Sequence, residues 1–109
     1  MTNHRVAVNV LYQHPKDPDA FEQYYADVHV PLLQQHAPTI GINGIDLVKF
    51  EKNADGSRPN FYRMASLWFA SAAELDRGMA SPEFKTLVDD LRNFATGGII
   101  AMVSRKMGS

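Results

Sequence analysis

Cysteine is absent from this chain of 109 residues. Its absence excludes thiol catalysis, cysteine-based zinc sites and a disulfide scaffold. The chain also has no excess of one charge, since 11 Lys and Arg residues are set against 12 Asp and Glu, for a formal net charge of -1. Proteins that clamp nucleic acid or bind membranes through basic clusters need a strong positive excess. The sequence therefore predicts no nucleic-acid partner.

Long apolar runs are missing as well. No segment reaches the roughly 18 consecutive apolar residues that a membrane span requires, and the first residues do not resemble a signal peptide. We therefore expect a soluble, cytoplasmic protein with no membrane partner. The length fits one domain over residues 1–109, and 45% hydrophobic residues suffice for a core without a metal or a disulfide.

Glycine-rich phosphate loops, dinucleotide-binding motifs and a Gly-x-Ser-x-Gly motif are also lacking. The sequence therefore predicts no cofactor and no serine nucleophile. A metal site is not expected either. His29 and His36 are seven residues apart, which places them about 10.5 Å apart along a regular helix, too far to share one ion. His4 and His14 lie near strand ends, where we expect them to be solvated.

What is present is a regular alternation of strand and helix patterns. Period-two alternation predicts strands, while caps and apolar stripes at helical spacing predict helices. The predicted order is strand 5–13, helix 18–35, strand 42–52, strand 61–69, helix 72–79, a helix from residue 82, and strand 99–106. This is the α+β, ferredoxin-like βαββαβ pattern, with a four-stranded antiparallel sheet and helices on one face.

The other face of that sheet would be exposed in a monomer. Tyr62, Met64 and Trp68 share one side of the third predicted strand, and Ile99 to Val103 add apolar surface in the last strand. One helical layer cannot cover both faces, and an uncovered apolar face usually has a partner. The sequence therefore predicts a homodimer in which two sheets pack into a dimeric α/β barrel.

The first predicted helix carries the most distinctive candidate for chemistry. His29 lies on the flank of an apolar stripe and two residues before Pro31, which we expect to loosen the helix near Asp27 to Val30. A neutral imidazole can act as a general acid or base near pH 7, and Tyr25 lies one turn earlier where it could orient it. The alternative is a structural histidine bonded to a backbone group that Pro31 frees.

Few other groups suggest a site. Asp89 and Asp90 have the pattern of a solvated helix face, so no carboxylate is expected to assist His29. Asn9 and Gln13 place polar groups on one face of the first strand. Tyr12, Tyr62, Met64 and Trp68 are either the lining of an apolar pocket or part of the core and the dimer interface.

Two motifs resemble the EthD-domain family over nearly the whole chain. The first is Leu11-Tyr12-Gln13-His14-Pro15 followed by Asp17-Pro18-x-x-Phe21-x-x-Tyr24-Tyr25 and His29-x-Pro31-Leu32; the second is Ser81-Pro82-Glu83-Phe84 with Asp90-Leu91-x-Asn93-Phe94. The resemblance implies a ferredoxin-like protomer, a homodimer and a catabolic setting. It also implies that His29 is the acid or base, with Tyr25 and Tyr12 as orienting groups.

Two hypotheses for function follow. In the first, the chain is a small cofactor-free enzyme in which His29 and Tyr25 move a proton on an apolar or aromatic carbonyl compound, by isomerisation, decarboxylation or dehydration. The side chains expected to contact the substrate are Asn9, Tyr12, Phe21, Tyr24, Tyr62 and Trp68. In the second, the chain is a non-catalytic small-molecule binder, or an accessory protein of an oxygenase system such as ether degradation. Haem binding is a third option, implied by the wider superfamily.

Overall fold

The computed structural model describes residues 5–107, so the expectation for His4 lies outside the described residues. The elements, in chain order, are strand β1 (Val6–Gln13), helix α1 (Pro18–Tyr24), a π-helical turn (Tyr25–His29), α2 (Val30–Ile40), β2 (Gly44–Lys49), β3 (Phe61–Phe69), α3 (Ala72–Met79), α4 (Pro82–Asp90), a 3-10 turn (Leu91–Asn93) and β4 (Ile99–Arg105).

The four strands of the described residues form one antiparallel sheet in the order β2-β3-β1-β4. Together with the helices that follow β1 and β3, this order confirms the predicted ferredoxin-like fold. The core lies between the sheet and the helices, where Val6, Val8 and Tyr12 of β1 are each 2% exposed. Within residues 5–107, no helix is long and apolar enough to cross a bilayer.

Capping side chains start the helices where the sequence predicts. The carboxylate of Asp17 accepts a hydrogen bond from the Ala20 amide, and Pro18 occupies the first helical turn, where a missing N–H costs nothing. Ser71 and Ser81 cap α3 and α4 in the same way. These local signals are strong because each satisfies an amide at the start of a helix that otherwise has no partner.

The helix after β1 is interrupted just before its proline. Residues Tyr25–His29 form a π-helical turn, and Pro31 occupies the first turn of α2. This confirms the predicted loosening, because the wider turn removes the need for the amide that proline lacks. The predicted end at Gln35 is wrong. The helix continues through Pro38 to Ile40 and ends at Gly41, whose φ of +96° is the left-handed conformation that glycine adopts readily.

A β-bulge changes the predicted face of one tyrosine. In the pairing of β1 with β3, Tyr12 lies opposite Arg63 while Gln13 lies opposite Phe61, so Tyr62 is an extra residue in its strand. Its ring turns toward the helices and packs 5.1 Å from the ring of Phe21. The expectation that Tyr62 shares a face with Met64 and Trp68 is therefore wrong. The second strand is also shorter than predicted, running only over Gly44–Lys49.

An ion-pair cluster fixes the bulged end of the sheet to α1. The guanidinium of Arg63 donates from Nε to Glu22 Oε2 at 2.9 Å and from a terminal nitrogen to Oε1 at 2.5 Å. The Tyr62 hydroxyl donates to Oε2 at 2.9 Å. These donors, above all Arg63, lower the pKa of Glu22 from 4.5 to about 2 despite its partial burial.

This cluster predicts a specific acid sensitivity. Because the folded-state pKa of Glu22 lies below its unfolded value, the stabilisation is complete above pH 4.5 and is lost as the pH falls toward 2. We expect Glu22→Gln to lower the free energy of unfolding by about 1–2 kcal/mol at pH 6, allowing for solvent screening. Urea titrations at pH 6, 4 and 3 should show the deficit shrinking. The control is Glu51→Gln, at an exposed position, and an equal deficit at all three pH values would contradict the prediction.

Candidate active site

The π-helical turn points two aromatic rings into the protein. Tyr25 is 4% exposed and His29 is 6% exposed. Their rings stack with centroids 6.0 Å apart and planes at 18°, and the Phe94 ring lies 4.5 Å from the imidazole on another side. A buried imidazole held by two aromatic rings has a fixed orientation, which is what a proton-transferring group requires.

A carboxylate forms a hydrogen bond with the buried His29. His29 Nδ1 lies 2.9 Å from Asp90 Oδ2, and the Asp90 side chain is only 11% exposed. The expectation that both aspartates at the end of α4 face solvent is therefore wrong for Asp90, although Asp89 is exposed and pairs with Lys85. Sequence spacing gave no sign of this pair, because 61 residues separate its two members.

The protonation states of Asp90 and His29 determine which nitrogen of the imidazole can accept a proton. Burial opposes ionisation of Asp90, but hydrogen bonds from Tyr24, His29 and Asn93 outweigh it and lower the pKa of that carboxyl. An ionised carboxylate only accepts hydrogen bonds, so His29 Nδ1 carries the hydrogen. Burial lowers the pKa of His29 below 6.5, an effect that Asp90 only partly offsets. At pH 7 the imidazole is therefore neutral, with a free lone pair on Nε2.

His29 lies on the wall of a narrow, mostly apolar cavity between the sheet and the helices. The volume of this cavity is about 40 Å³, so it suits a small molecule. Its walls are formed by Val10, Tyr12, Tyr25, His29, Leu33, Ala65, Leu67, Phe84, Leu87, Val88 and Leu91.

Two tyrosines supply the remaining polar groups of the cavity wall. Burial raises the pKa of Tyr25 to about 12 and raises the pKa of Tyr12 as well, with a further contribution from the nearby Tyr25 and Asp90. Both phenols are therefore protonated near neutral pH. Among residues 5–107, neither hydroxyl has a side-chain partner within hydrogen-bonding distance. Each phenol therefore retains an O–H donor that no described side chain engages.

The structure divides the residues predicted from sequence into three groups. His29, Tyr25 and Tyr12 meet at the cavity. Phe21 and Tyr62 lie in an adjoining cluster of buried, mostly aromatic side chains. The Tyr24 hydroxyl donates a hydrogen bond to Asp90 Oδ1 at 2.6 Å. The remaining two, Asn9 and Trp68, lie on the opposite face of the sheet. There Asn9 bonds Ser66 and Ser104, while Trp68 Nε1 donates to Asp46 at 2.8 Å.

Metal ligands do not gather here. Over the part of the chain that the structure describes, no three His, Asp or Glu side chains come close enough to hold an ion. The histidines illustrate this. His36 is half-buried in α2. His14 is also half-buried, and its Nε2 lies 2.7 Å from the carbonyl oxygen of Pro59.

Comparison with known proteins now identifies the family. The EthD domain matches residues 13–98, which include β1's last residue, the histidine and its carboxylate partner. A relative from Rhodococcus erythropolis, an uncharacterized 11.0 kDa protein in the thcB-thcC intergenic region, is 39% identical over 94 residues, covering 84% of this chain and 85% of that protein. The chain belongs to the EthD family.

Solved structures share the fold of this EthD-family chain. An EthD family protein from Bacillus halodurans C-125 has a TM-score of 0.83 at 25% identity, covering 94% of this chain and 99% of its own. The hydroxynitrile lyase of Passiflora edulis has a TM-score of 0.74 at 18% identity, covering 99% and 98%. A dimeric ferredoxin-like protein from Thermobifida fusca has a TM-score of 0.65 at 9% identity, covering 97% and 94%.

Proposed function

We propose that this EthD-family protein is a small enzyme that moves a proton within an apolar or aromatic carbonyl compound, in the catabolism of such compounds in the cytoplasm. One observation carries the proposal: an imidazole whose Nδ1 is hydrogen-bonded to Asp90 and whose ring lines an apolar cavity. A neutral imidazole with a fixed tautomer is suited to proton abstraction.

The proposed chemistry follows from the donors and acceptors at the cavity wall. Nε2 of His29 takes a proton from a carbon next to the carbonyl group, and the electron pair of that C–H bond moves to the carbonyl oxygen. The protonated phenols of Tyr12 and Tyr25 donate hydrogen bonds to the resulting oxyanion. The imidazolium, stabilised by the Asp90 carboxylate, returns the proton at another atom. Return of the proton to another carbon completes an isomerisation, and its return to a hydroxyl group two carbons from the carbonyl releases that group as water in a dehydration. In a decarboxylation, Nε2 instead takes the proton of the carboxylic acid, carbon dioxide leaves its bonding electrons to the enolate, and the imidazolium returns the proton to that carbon.

A deuterium-exchange screen tests the proposal. The protein is incubated in D₂O with a panel of cyclic ketones, unsaturated lactones and aromatic ketones, and proton NMR follows the C–H groups next to each carbonyl. We expect protein-dependent deuterium incorporation for at least one compound that also shifts the signals of His29 and Tyr25, and none with His29→Ala. Binding at these residues with no exchange above that of His29→Ala would favour the binder or accessory role instead.

We also propose that two copies pair through their open sheet faces. The side of the sheet away from the helices carries Leu11, Val48, Met64, Trp68, Ile100 and Met102, of which Met102 is 53% exposed. Its polar members are already bonded within the chain, as Asn9 accepts from Ser66 at 2.7 Å. Covering this face would therefore bury apolar surface while leaving few polar groups without partners. The protein of this fold from Thermobifida fusca is described as dimeric, which supports pairing but not the choice of surface.

A further inference from the structure

We propose that Tyr24 and Asn93 are positioning residues that clamp Asp90, and that this clamp keeps the hydrogen of His29 on Nδ1. The inference deepens the proposed function, because the clamp decides whether Nε2 is free to act as a base. The clamp is the set of hydrogen bonds that these two side chains make to one oxygen of the carboxylate.

The two carboxylate oxygens of Asp90 have different hydrogen-bond partners. Oδ1 accepts from the Tyr24 hydroxyl at 2.6 Å and from Asn93 Nδ2 at 2.9 Å. Oδ2 lies 2.9 Å from His29 Nδ1. Since a carboxylate is planar, two donors on Oδ1 fix the rotation of the group and thereby aim Oδ2 at the imidazole. Asn93 Nδ2 also lies 3.2 Å from the Tyr24 hydroxyl oxygen, which closes the clamp into a ring of contacts.

Without the hydrogen bonds from Tyr24 and Asn93, the Asp90 carboxylate could rotate toward other partners. Asp90 lines a shallow depression of the surface together with Leu32, Thr86 and Arg92. The torsion that turns a carboxylate has a broad energy profile, so water in the depression competes for its oxygens. Charge-assisted hydrogen bonds are strong enough to prevent this rotation. The clamp therefore explains how a carboxylate at a surface depression holds a buried imidazole in one orientation.

Neighbouring groups hold Tyr24 and Asn93 in place. The Tyr24 ring stacks on Phe94 with centroids 5.4 Å apart and planes at 18°, which holds the phenol in place. Asn93 ends the 3-10 turn that follows Asp90 directly, so a short stretch of backbone fixes their separation. Tyr24 belongs to α1, and Asn93 belongs to the 3-10 turn that follows α4. The clamp therefore also connects α1 with the turn after α4.

Nitrogen NMR of the histidine side chains tests the clamp without any ligand. Spectra are recorded at pH 8, where His29 is neutral, and its signals are assigned by their loss in His29→Gln. We expect wild-type Nδ1 to show the shift of a protonated nitrogen and Nε2 that of an unprotonated one. In Tyr24→Phe combined with Asn93→Ala, we expect the two signals to move together, as the ratio of the two tautomers changes about tenfold.

Matched variants separate the clamp from general damage. Tyr62→Phe also removes a phenol–carboxylate hydrogen bond, the one to Glu22, and should leave the His29 signals unchanged. Asp90→Leu, which has no acceptor, should lose the wild-type pattern, and circular dichroism checks that every variant is folded. Wild-type signals in the Tyr24 and Asn93 variants, together with their loss in Asp90→Leu, would overturn the clamp and leave the proposed function standing. Wild-type protein with the hydrogen on Nε2 would contradict both.

Discussion

His29→Ala is expected to lower kcat/KM about 10²–10⁴-fold for any compound that the exchange screen identifies, because it removes the group that takes up the proton. The apolar walls of the cavity do not change, so the dissociation constant should stay within about tenfold of wild type, a difference of about 1.4 kcal/mol. Steady-state kinetics and ligand titrations with the purified variant measure the two effects separately. A loss confined to kcat would identify His29 as acting in the chemical step.

The pH dependence gives an independent check on the same residue. Because burial lowers the pKa of His29, the base is neutral at pH 7 and loses its lone pair only as the pH falls below 6.5. The wild-type rate should therefore fall on the acid side of pH 6.5. The control is His29→Gln, which preserves volume and a donor toward Asp90 but has no titratable group. Turnover by a folded His29→Gln variant at the wild-type rate would remove this histidine from the mechanism.

The fold was predictable because its signals are local. The alternation of β1 and the caps at Asp17, Ser71 and Ser81 each act over a few residues, and all agree on one topology. The errors came where a local signal was overridden. Pro38 is tolerated in the last turns of α2 before Gly41, and the bulge at Tyr62 depends on pairing with a distant strand.

The site was predictable only in part, for a physical reason. His29 and Tyr25 stand out in the sequence because one unusual helix carries both. Asp90 does not, because its role depends on α4 ending beside the π-helical turn, a contact between distant parts of the chain. The one sequence signal for Asp90 was the motif Asp90-Leu91-x-Asn93-Phe94, which resembles the EthD-domain family. A polar residue at the end of an amphipathic helix is usually exposed, and only the packed structure shows that the Asp90 side chain is just 11% exposed.

Ile100→Glu is expected to convert the proposed dimer into monomers. Ile100 pairs with Leu11 on the open face and is 39% exposed in the single chain. In a two-fold symmetric dimer each substitution occurs twice, so two unpaired carboxylates would be buried in one interface. Burying an uncompensated charge typically costs about 3–5 kcal/mol, so the dissociation constant should rise by at least about 10³-fold. Light scattering during size-exclusion chromatography over a range of concentrations measures it.

Val28→Glu separates loss of the interface from a general effect of added charge. Val28 is 41% exposed, nearly the same as Ile100, but it lies in the π-helical turn on the helical side of the sheet. A negative charge there stays in water when the open faces pair, so this variant should remain dimeric. If wild type has twice the mass of the chain and both variants keep it, the subunits pair through another surface. If only Ile100→Glu dissociates while its secondary structure is unchanged, the open face is the interface, because equal exposure and charge leave position as the difference between the two variants.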